Sequence, residues 1–501
     1  MKNTILFLPL LIPLITAVLG LLAWRRHTLQ RLLGVGSTSA LLAVGLLLLA
    51  TVRDGTILSV QAGNWPAPFG ITLAADLFSA LMVTAAGGMG LCVTVYSLAD
   101  TDTHQESLGY HPLLQVLLLG VSGSFLTADL FNLYVWFEVM LIASFVLLAL
   151  GGRREQMEGA IKYVALNLIA SAFFLAGIGL LYGVAGTLNM AHLAVKLRDV
   201  AHTGTIPVIA ALFFAAFGIK AAVFPFYFWL PASYHTPPTA VTTIFSALLS
   251  KVGIYVLFRV FTLIFAQEAV AGQGVLLTAA TGTMLFGALG ATAQPELRRM
   301  LSFCVVSQIG YLLLGLGIMT PLALAGSIFF ILHIIAAKSA LFLATGLVVR
   351  ISGSSEMAVV GGLYRQRPLL ALLFLLPALS VAGLPPFSGF WGKLALVQAA
   401  LIREQYLAVT AALGVSILTL LYLVRAWSEV FWKGRPAGSE GSARSLPALQ
   451  RRQMVGPLTA LVLVMMLMGL TAEPFMVLAR TAAEQLLAPD RYITTILGVT
   501  P

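Results

Sequence analysis

The sequence predicts an all-α membrane protein with about fourteen transmembrane helices. Of its 501 residues, 59% are hydrophobic and only 10% are charged, and the mean hydropathy is +0.97. An ordinary soluble domain carries about 25% charged residues. Apolar runs recur along nearly the whole chain, and most are long enough to cross a hydrocarbon core about 30 Å thick. We therefore expect a multi-pass protein without a soluble domain.

The predicted spans follow one another with short loops between them. The N-terminal run "MKNTILFLPLLIPLITAVLGLLAWRRH" is too long for a signal peptide and lacks a small-residue cleavage site, so a retained first helix is expected. The polar stretch 433–452 is expected to be a loop. The predicted spans are 5–23, 33–51, 71–98, 113–128, 130–151, 161–186, 206–231, 240–265, 274–294, 301–320, 322–349, 369–400, 406–426 and 455–475.

These spans predict four regions: three N-terminal helices in 1–112, two halves of five helices each in 113–265 and 274–430, and a cytoplasmic loop with a C-terminal helix in 431–501. Basic residues predict the orientation, because cytoplasmic loops are enriched in Lys and Arg. The odd-numbered loops contain most of these residues, among them Arg25 and Arg26 in the first loop, and the even-numbered loops contain few. The odd loops should be cytoplasmic, with both termini outside a bacterial cell membrane.

The net charge of +10 is explained by these basic loops rather than by nucleic-acid binding. The two cysteines, Cys92 and Cys304, lie in apolar runs and form neither a metal-binding pattern nor a disulfide framework. We expect no cofactor, no metal site and no redox centre in this chain.

Several charged residues lie inside the predicted spans, where a charge costs roughly 2.5 to 3.5 kcal/mol on insertion scales. Such residues usually face a polar interior and have a function. They are Glu138 in span five, Lys220 in span seven, Lys251 and Arg259 in span eight, His333 and Lys338 in span eleven, and Lys393 in span twelve.

Structural explanations compete with functional ones at these positions. Arg259 is explained by a side chain that reaches the membrane surface, and Asp76 by a helix cap. Glu138 is compatible with a fixed ion pair, and His333 or Lys338 with a satisfied polar contact between helices. Lys220 and Lys251 fit a structural role poorly, because each lies about half a membrane from its nearest loop. Together the residues favour a proton relay over a positively charged substrate cavity.

Proline interrupts the two spans that carry an isolated lysine. Pro225 follows Lys220 in span seven, and Pro385 and Pro386 precede Lys393 in span twelve. Proline removes a helical hydrogen bond, and irregular backbone at membrane depth is tolerated only beside protein or a water-filled cavity. Broken helices beside ionisable residues are typical of ion sites in transporters. The reversed order of lysine and proline also predicts an inverted repeat, with spans four to eight against nine to thirteen.

With these motifs, the chain resembles the antiporter-like subunits shared by respiratory complex I and the Mrp cation/proton antiporters, over roughly residues 70–430. The resemblance rests on "LFNLYVWFEVMLIASF", "FGIKAAVFPFYFWLPASYHTPPTAVTTIFSALLSKVGIYVLFR", "ILHIIAAKSALFLATG" and "GLPPFSGFWGKL". It implies that Glu138 and Lys220 form the glutamate–lysine pair of the first half-channel. Lys251 would be the connecting lysine and Lys393 the terminal lysine of the second half-channel, and the polar residues of span eleven would fall on His333 and Lys338.

The resemblance is strongest to D-type subunits of Mrp antiporters, because complex I subunits of the L type usually have histidine at the position of Lys251 and those of the M type glutamate at Lys393. It implies a secondary transporter subunit rather than an enzyme. Protons, Na⁺ or K⁺, the lipid bilayer and subunits of the A, B, C, E, F and G types would be its partners. A proton-pumping subunit of a redox complex is the alternative, and a non-transporting scaffold is disfavoured by the membrane lysines. Neither the coupling cation, its site and stoichiometry, nor the choice between His333 and Lys338 as central relay residue, follows from the sequence.

Overall fold

A computed structural model describes residues 2–199, 204–434 and 446–498. The predicted all-α membrane architecture is confirmed, since twelve helices in the described part of the chain are long and apolar enough to cross a membrane. Three further apolar helices are shorter: Tyr110–Leu126, Pro368–Ala382 and Ser388–Ile402. The count of fourteen spans and the inverted repeat stay predictions. Residues 435–445 of the predicted loop 433–452 lie outside the described residues, and residues 448–452 are helical, so the loop prediction is wrong at its end.

The N-terminal region contains a small β-hairpin that the sequence did not predict. Its strands pair antiparallel, with Leu58 opposite Ala75. The second strand was included in predicted span 71–98, because its four apolar residues continue directly into the following helix. The elements are α1 (Leu8–Leu22), α2 (His27–Val52), β1 (Leu58–Gln61), β2 (Thr72–Ala75), α3 (Leu77–Asp100) and α4 (Thr103–Ser107).

Two longer series of helices follow, and the chain ends in three more. The first series is α5 (Tyr110–Leu126), α6 (Leu130–Ala149), α7 (Arg154–Ala185), α8 (Met190–Asp199), α9 (Thr205–Ala221), α10 (Trp229–Ser233), α11 (Thr239–Ile244), α12 (Ser250–Leu263) and α13 (Ala266–Ala271). The second is α14 (Gln273–Thr292), α15 (Leu297–Ile318), α16 (Pro321–Ser352), α17 (Leu363–Gln366), α18 (Pro368–Ala382), α19 (Ser388–Ile402) and α20 (Tyr406–Trp427). The last three are α21 (Ala448–Leu470), α22 (Ala472–Leu487) and α23 (Asp490–Leu497).

Helix α16 forms the centre of the second half. It packs against α15, α18, α19, α21 and α22, so nearly all of its 32 residues are buried. A helix that is apolar on every side is expected in such a core position. The C-terminal region has three helices where the sequence predicted one, because α22 and α23 mix polar and apolar residues and do not form a continuous apolar run.

A buried ion pair joins the N-terminal, central and C-terminal parts of the fold. Asp76 caps α3 by accepting a hydrogen bond from the backbone nitrogen of Ser79 at 2.9 Å, as one interpretation of the sequence allowed. Its carboxylate also pairs with Arg259 of α12 at 2.6 Å, and both side chains are buried. The Arg259 guanidinium lies 5.0 Å from the ring centre of Tyr492 in α23. The prediction that Arg259 reaches the membrane surface is therefore wrong, because its counter-charge lies inside the protein.

Asp76→Asn should destabilise the protein by about 3–5 kcal/mol, because it leaves the Arg259 charge buried without a partner. Asparagine is a good helix cap, so the loss would come from the charge and not from the cap. The midpoint of thermal unfolding of the purified membrane protein measures the effect. Asp54→Asn is the control, since the Asp54–Arg53 pair is exposed and such pairs contribute little. Equal midpoints for the two variants would contradict the role given to the buried pair.

A second polar cluster lies where α4 meets α2 and α5. Glu106 accepts hydrogen bonds from Arg31 at 2.7 and 2.8 Å, and one of its oxygens lies 2.9 Å from Nε2 of His111. Burial of Glu106 works against its ionised form, but the hydrogen bonds from His111 and Arg31 prevail and lower the pKa of Glu106 to about 2. Because the pKa of Glu106 is lower in the folded protein than in the unfolded chain, its ionisation stabilises the fold fully at pH values above the unfolded-state pKa. This stabilisation is lost as the pH falls below that value towards 2. The cluster therefore keeps its ion pair throughout the physiological pH range.

Candidate functional site

The structure places the predicted lysines and the histidine inside the protein. Lys251, His333 and Lys338 have no exposed surface, and Lys220 and Lys393 are 5% and 6% exposed. In the described chain, none of the five makes a contact ion pair with a carboxylate. Their contacts are instead hydroxyl groups, backbone carbonyls, a thiol and aromatic rings. Such cations are expensive to keep charged, and they respond strongly to any charge that comes near.

Lys220 lies in the last turn of α9, where the helix ends. Ala222 has a left-handed backbone conformation, and the amide of Val223 donates to the carbonyl of Gly218 at 2.8 Å. The chain then passes Pro225, forms a 3₁₀ turn at Phe226–Phe228 and continues into α10. The side chain of Trp229 closes the gap, because its Nε1 donates to the Ile219 carbonyl at 2.9 Å. The break thus satisfies its backbone internally, as it must at membrane depth.

The Lys220 ammonium is held by neutral groups. Its Nζ donates to Ser171 Oγ of α7 at 3.1 Å and lies 4.8 Å from the ring centre of Phe137. Glu138 is the next residue on α6, and its charge acts on Lys220 without a contact ion pair between them. One oxygen of Glu138 is buried and has no hydrogen-bond partner in the described chain. The structure therefore brings Glu138 and Lys220 together as two interacting charges that are not locked to each other.

Lys251 lies just after an irregular turn in the eighth span. Residues Phe245–Leu249 form a π-helical turn between α11 and α12, and such turns occur frequently at functional sites. The Nζ of Lys251 donates to the Ser246 carbonyl inside this turn at 2.5 Å and to Ser250 Oγ at 3.3 Å. Gly253 lets α12 pack closely on α9, because a Cβ atom there would lie 2.8 Å from the Ala221 nitrogen. This contact holds the segment carrying Lys251 against the end of the helix that carries Lys220.

Lys338 contacts a thiol that the sequence analysis did not assign to the site. Its Nζ is hydrogen-bonded to Cys304 Sγ of α15, and the Tyr422 hydroxyl of α20 donates to the same sulfur at 2.7 Å. Lys338 is also close enough to Lys251 for the two charges to interact. Lys338 therefore links the eighth span to the second half of the protein.

Lys393 lies beside the second helix break. Helix α18 ends at Ala382, Gly383 follows with a positive φ of 94°, and α19 begins at Ser388 after Pro385 and Pro386. The Nζ of Lys393 donates to the Ala382 carbonyl at 3.2 Å, so it uses an acceptor at the end of the broken helix.

The surroundings of Lys393 resemble those of Lys220. Its Nζ donates to Ser416 Oγ at 3.0 Å and lies 4.5 Å from the ring centre of Tyr311. Each of these lysines thus has one serine hydroxyl, one aromatic face and a helix end nearby.

His333 lies on α16, five residues before Lys338. Its Nδ1 is 2.8 Å from Ser388 Oγ in the first turn of α19, while its Nε2 is buried without a partner in the described chain. The charges of Lys393 and Lys338 both act on it. Gly389 permits this approach, because a Cβ atom there would lie 2.8 Å from Nε2. Lys251, Lys338, His333 and Lys393 therefore form a row of interacting buried groups.

The sequence did not predict the side chains that contact the buried lysines and His333. Among them are Ser171, Cys304, Tyr311 and Ser416, and Tyr422 joins them through the sulfur of Cys304. No sequence signal distinguishes them, since a serine, a tyrosine or a free cysteine in an apolar helix is equally compatible with a packing role.

Comparisons with known proteins identify the family of this chain. The family model described as NADH:quinone oxidoreductase/Mrp antiporter, transmembrane, matches residues 127–419. The D-type subunit of the Na⁺/H⁺ antiporter of Alkalihalophilus pseudofirmus is 41% identical over 495 residues, which is 99% of each chain.

Solved structures show the same fold. A chain in the Mrp complex of a Dietzia species superposes with a TM-score of 0.92 at 32% identity, covering 99% of this chain and 100% of that one. A chain in the membrane-bound sulfane sulfur reductase, an archaeal respiratory membrane complex, superposes with a TM-score of 0.91 at 27% identity, with the same coverage. The protein belongs to the NADH:quinone oxidoreductase/Mrp antiporter transmembrane family and, within it, to the D-type antiporter subunits.

Proposed function

We propose that this chain is the proton-translocating subunit of a multisubunit antiporter that exchanges Na⁺ or K⁺ for protons. The observation that carries the proposal is the row of buried ionisable groups Lys251, Lys338, His333 and Lys393, none of which has a contact ion pair in the described structure. A merely structural cation at this depth would need a fixed counter-charge to offset its cost of several kcal/mol. Groups that exchange protons must instead lose and regain their charge.

In the proposed relay, a proton enters at Glu138 and is shared with Lys220. It reaches Lys251 across the close contact of α9 and α12, and continues through Lys338 and His333 to Lys393. Protonation of one group disfavours protonation of its neighbour, because like charges repel strongly in a low-dielectric interior. One helix break lies beside Lys220 and the other beside Lys393, and broken helices beside ionisable residues are typical of ion sites in transporters. The cation is proposed to pass elsewhere in the assembly or at a subunit boundary.

The exposed face of α6 supports the need for partner subunits. Phe131, Val135 and Ile142 are 50%, 40% and 63% exposed, and Glu138 has the spacing of the same helix face. A carboxylate that borders on lipid is costly, so another subunit is proposed to cover this face. The relatives are subunits of a multisubunit complex, and we propose partners of the A, B, C, E, F and G types. The location would be a bacterial cell membrane with both termini outside.

A redox-driven proton pump is the second candidate function. It is favoured by the 27% identity to a chain of an archaeal respiratory complex, which has a TM-score nearly as high as that of the Mrp chain. The same row of residues would then be driven by electron transfer in another subunit. In both cases the chain is a translocating subunit and performs no catalysis of its own.

Cation-dependent proton movement in everted membrane vesicles separates the two functions. The whole operon is expressed in a host without other antiporters, and a respiration-driven pH gradient is followed with a fluorescent dye. We expect the gradient to collapse when Na⁺ or K⁺ is added, and vesicles with the empty vector give the background. A well-expressed complex that shows no response to either cation would contradict the antiporter and favour the redox pump.

A further inference from the structure

A groove with a basic rim lies between the ends of α16, α18 and α21, away from the row of buried lysines. Its volume is about 750 Å³. Its floor is apolar and includes Leu347 of α16, Leu370 of α18 and Val455 of α21, while Arg367, Arg451 and Arg452 lie at its mouth. No carboxylate lines the groove in the described structure. The groove thus combines an apolar floor with three positively charged side chains at its mouth.

The three arginines have no assigned partner in the described part of the chain. Arg31 and Arg259, by contrast, are paired with carboxylates. Arg451 and Arg452 are exposed, and Arg367 is half-buried. Guanidinium groups match the oxygen geometry of phosphate esters better than an ammonium does. A cluster of such groups without counter-charge is complementary to an anionic headgroup.

Aromatic residues place the mouth of the groove at the level of the lipid headgroups. Tyr364 and Trp432 are 50% and 72% exposed, and their rings are stacked with centres 6.4 Å apart. Trp427 lies against Tyr364 and donates from Nε1 to the Ala371 carbonyl of α18 at 3.0 Å. Exposed tryptophan and tyrosine concentrate at the membrane–water interface. Arg367, which closely follows Tyr364 in the chain, and the arginine pair at the start of α21 then lie at the depth of lipid phosphates.

We propose that this groove binds an anionic phospholipid of the surrounding bilayer. Its phosphate is held by Arg367, Arg451 and Arg452, and one acyl chain lies along the apolar floor. Gly456 also lines the groove, and no atom lies within 4 Å of the position that its Cβ would occupy, so the space beside it is open to an acyl chain. Basic pockets between transmembrane helices are known to select anionic headgroups. This assignment does not depend on the relay.

Lipid binding by the purified complex tests the proposal. Phosphatidylglycerol should raise the midpoint of thermal unfolding in detergent more than phosphatidylcholine does. Arg451→Gln with Arg452→Gln should remove most of this difference, and native mass spectrometry should find one fewer retained phosphatidylglycerol per complex. The control is Arg25→Gln with Arg26→Gln, since this exposed adjacent pair lies outside the groove. This variant should keep the stabilising effect of phosphatidylglycerol and the same number of retained phosphatidylglycerol molecules. Gly456→Phe keeps the three arginines but places a large side chain in the groove, so this variant should lose the lipid as well.

Three results would overturn the proposal. In the first, Arg451→Gln with Arg452→Gln would retain the same number of phosphatidylglycerol molecules. In the second, phosphatidylcholine would stabilise the complex as well as phosphatidylglycerol does. In the third, Arg451→Gln with Arg452→Gln would release a partner subunit whatever lipid is present, which would assign the groove to a protein contact.

Discussion

Lys220→Met is expected to reduce cation-dependent proton movement at least about 100-fold, the lower end of what a positioned proton-transfer group contributes. Methionine preserves the length and apolar stem of the side chain, so its packing against Phe137 should survive. It cannot bind a proton, and it would interrupt the relay at its first lysine. The measurement is the cation-dependent collapse of the pH gradient in everted vesicles, normalised to the amount of assembled complex.

Lys220→Arg separates proton transfer from a structural charge. Arginine stays protonated at every accessible pH, so it supplies a fixed cation but cannot pass a proton on. We expect Lys220→Arg to be as inactive as Lys220→Met, and Glu138→Gln to lose most activity because its charge no longer acts on Lys220. If Lys220→Arg kept normal exchange, Lys220 would be a structural cation and the proposed relay would be wrong at this position.

A neighbouring pair of the same chemistry provides the matched controls. Glu158 and Lys162 on α7 form an exposed ion pair with atoms 2.6 Å apart, four residues apart on the helix. Glu158→Gln and Lys162→Met change the same functional groups without touching the buried row. Both should keep near-normal exchange and assembly. A similar loss in these variants would mean that the effect at Glu138 and Lys220 is not specific to buried charges.

The sequence was sufficient to predict the relay candidates but not their partners. A lysine in an apolar run is conspicuous because the bilayer penalises its charge, and a proline beside it marks a helix end. Cys304 and Tyr422 carry no such signal, since their types are common in apolar helices. Only the packing of α15, α16 and α20 brings them to Lys338. Contacts between distant segments cannot be read from local composition.

The same limit explains the errors made with Arg259 and the hairpin. Nothing near Arg259 in sequence is acidic, and its partner Asp76 lies 183 residues earlier on another helix. The strands β1 and β2 have only four residues each, and the second merges with the apolar start of α3. Short strands are ambiguous when the adjoining segment is also apolar. Long apolar helices, whose signal extends over about 20 residues, were located with their ends within about seven residues of the observed positions.

Lys338→Met is expected to abolish exchange, whereas His333→Asn should cause a smaller, several-fold loss. Lys338 is the group whose charge acts on both Lys251 and Lys393, so its removal would leave the two ends of the row without a bridge. The charges of Lys338 and Lys393 both act on His333, and asparagine can still hydrogen-bond to Ser388 as Nδ1 does. The direct interaction of Lys338 with Lys393 would then sustain part of the flow. The vesicle assay measures both variants.

Thr345→Val on the same helix is the control for these substitutions. Thr345 is fully buried, and its hydroxyl has no partner in the described chain, so valine should leave exchange unchanged. Loss of exchange in His333→Asn with normal exchange in Lys338→Met would reverse the assignment and make the histidine the central carrier. Loss in both would show that the proton passes through each in turn, because the Lys338–Lys393 interaction alone would then be too weak. The relative effects therefore identify the bridging residue, which the charge pattern of α16 in the sequence leaves open.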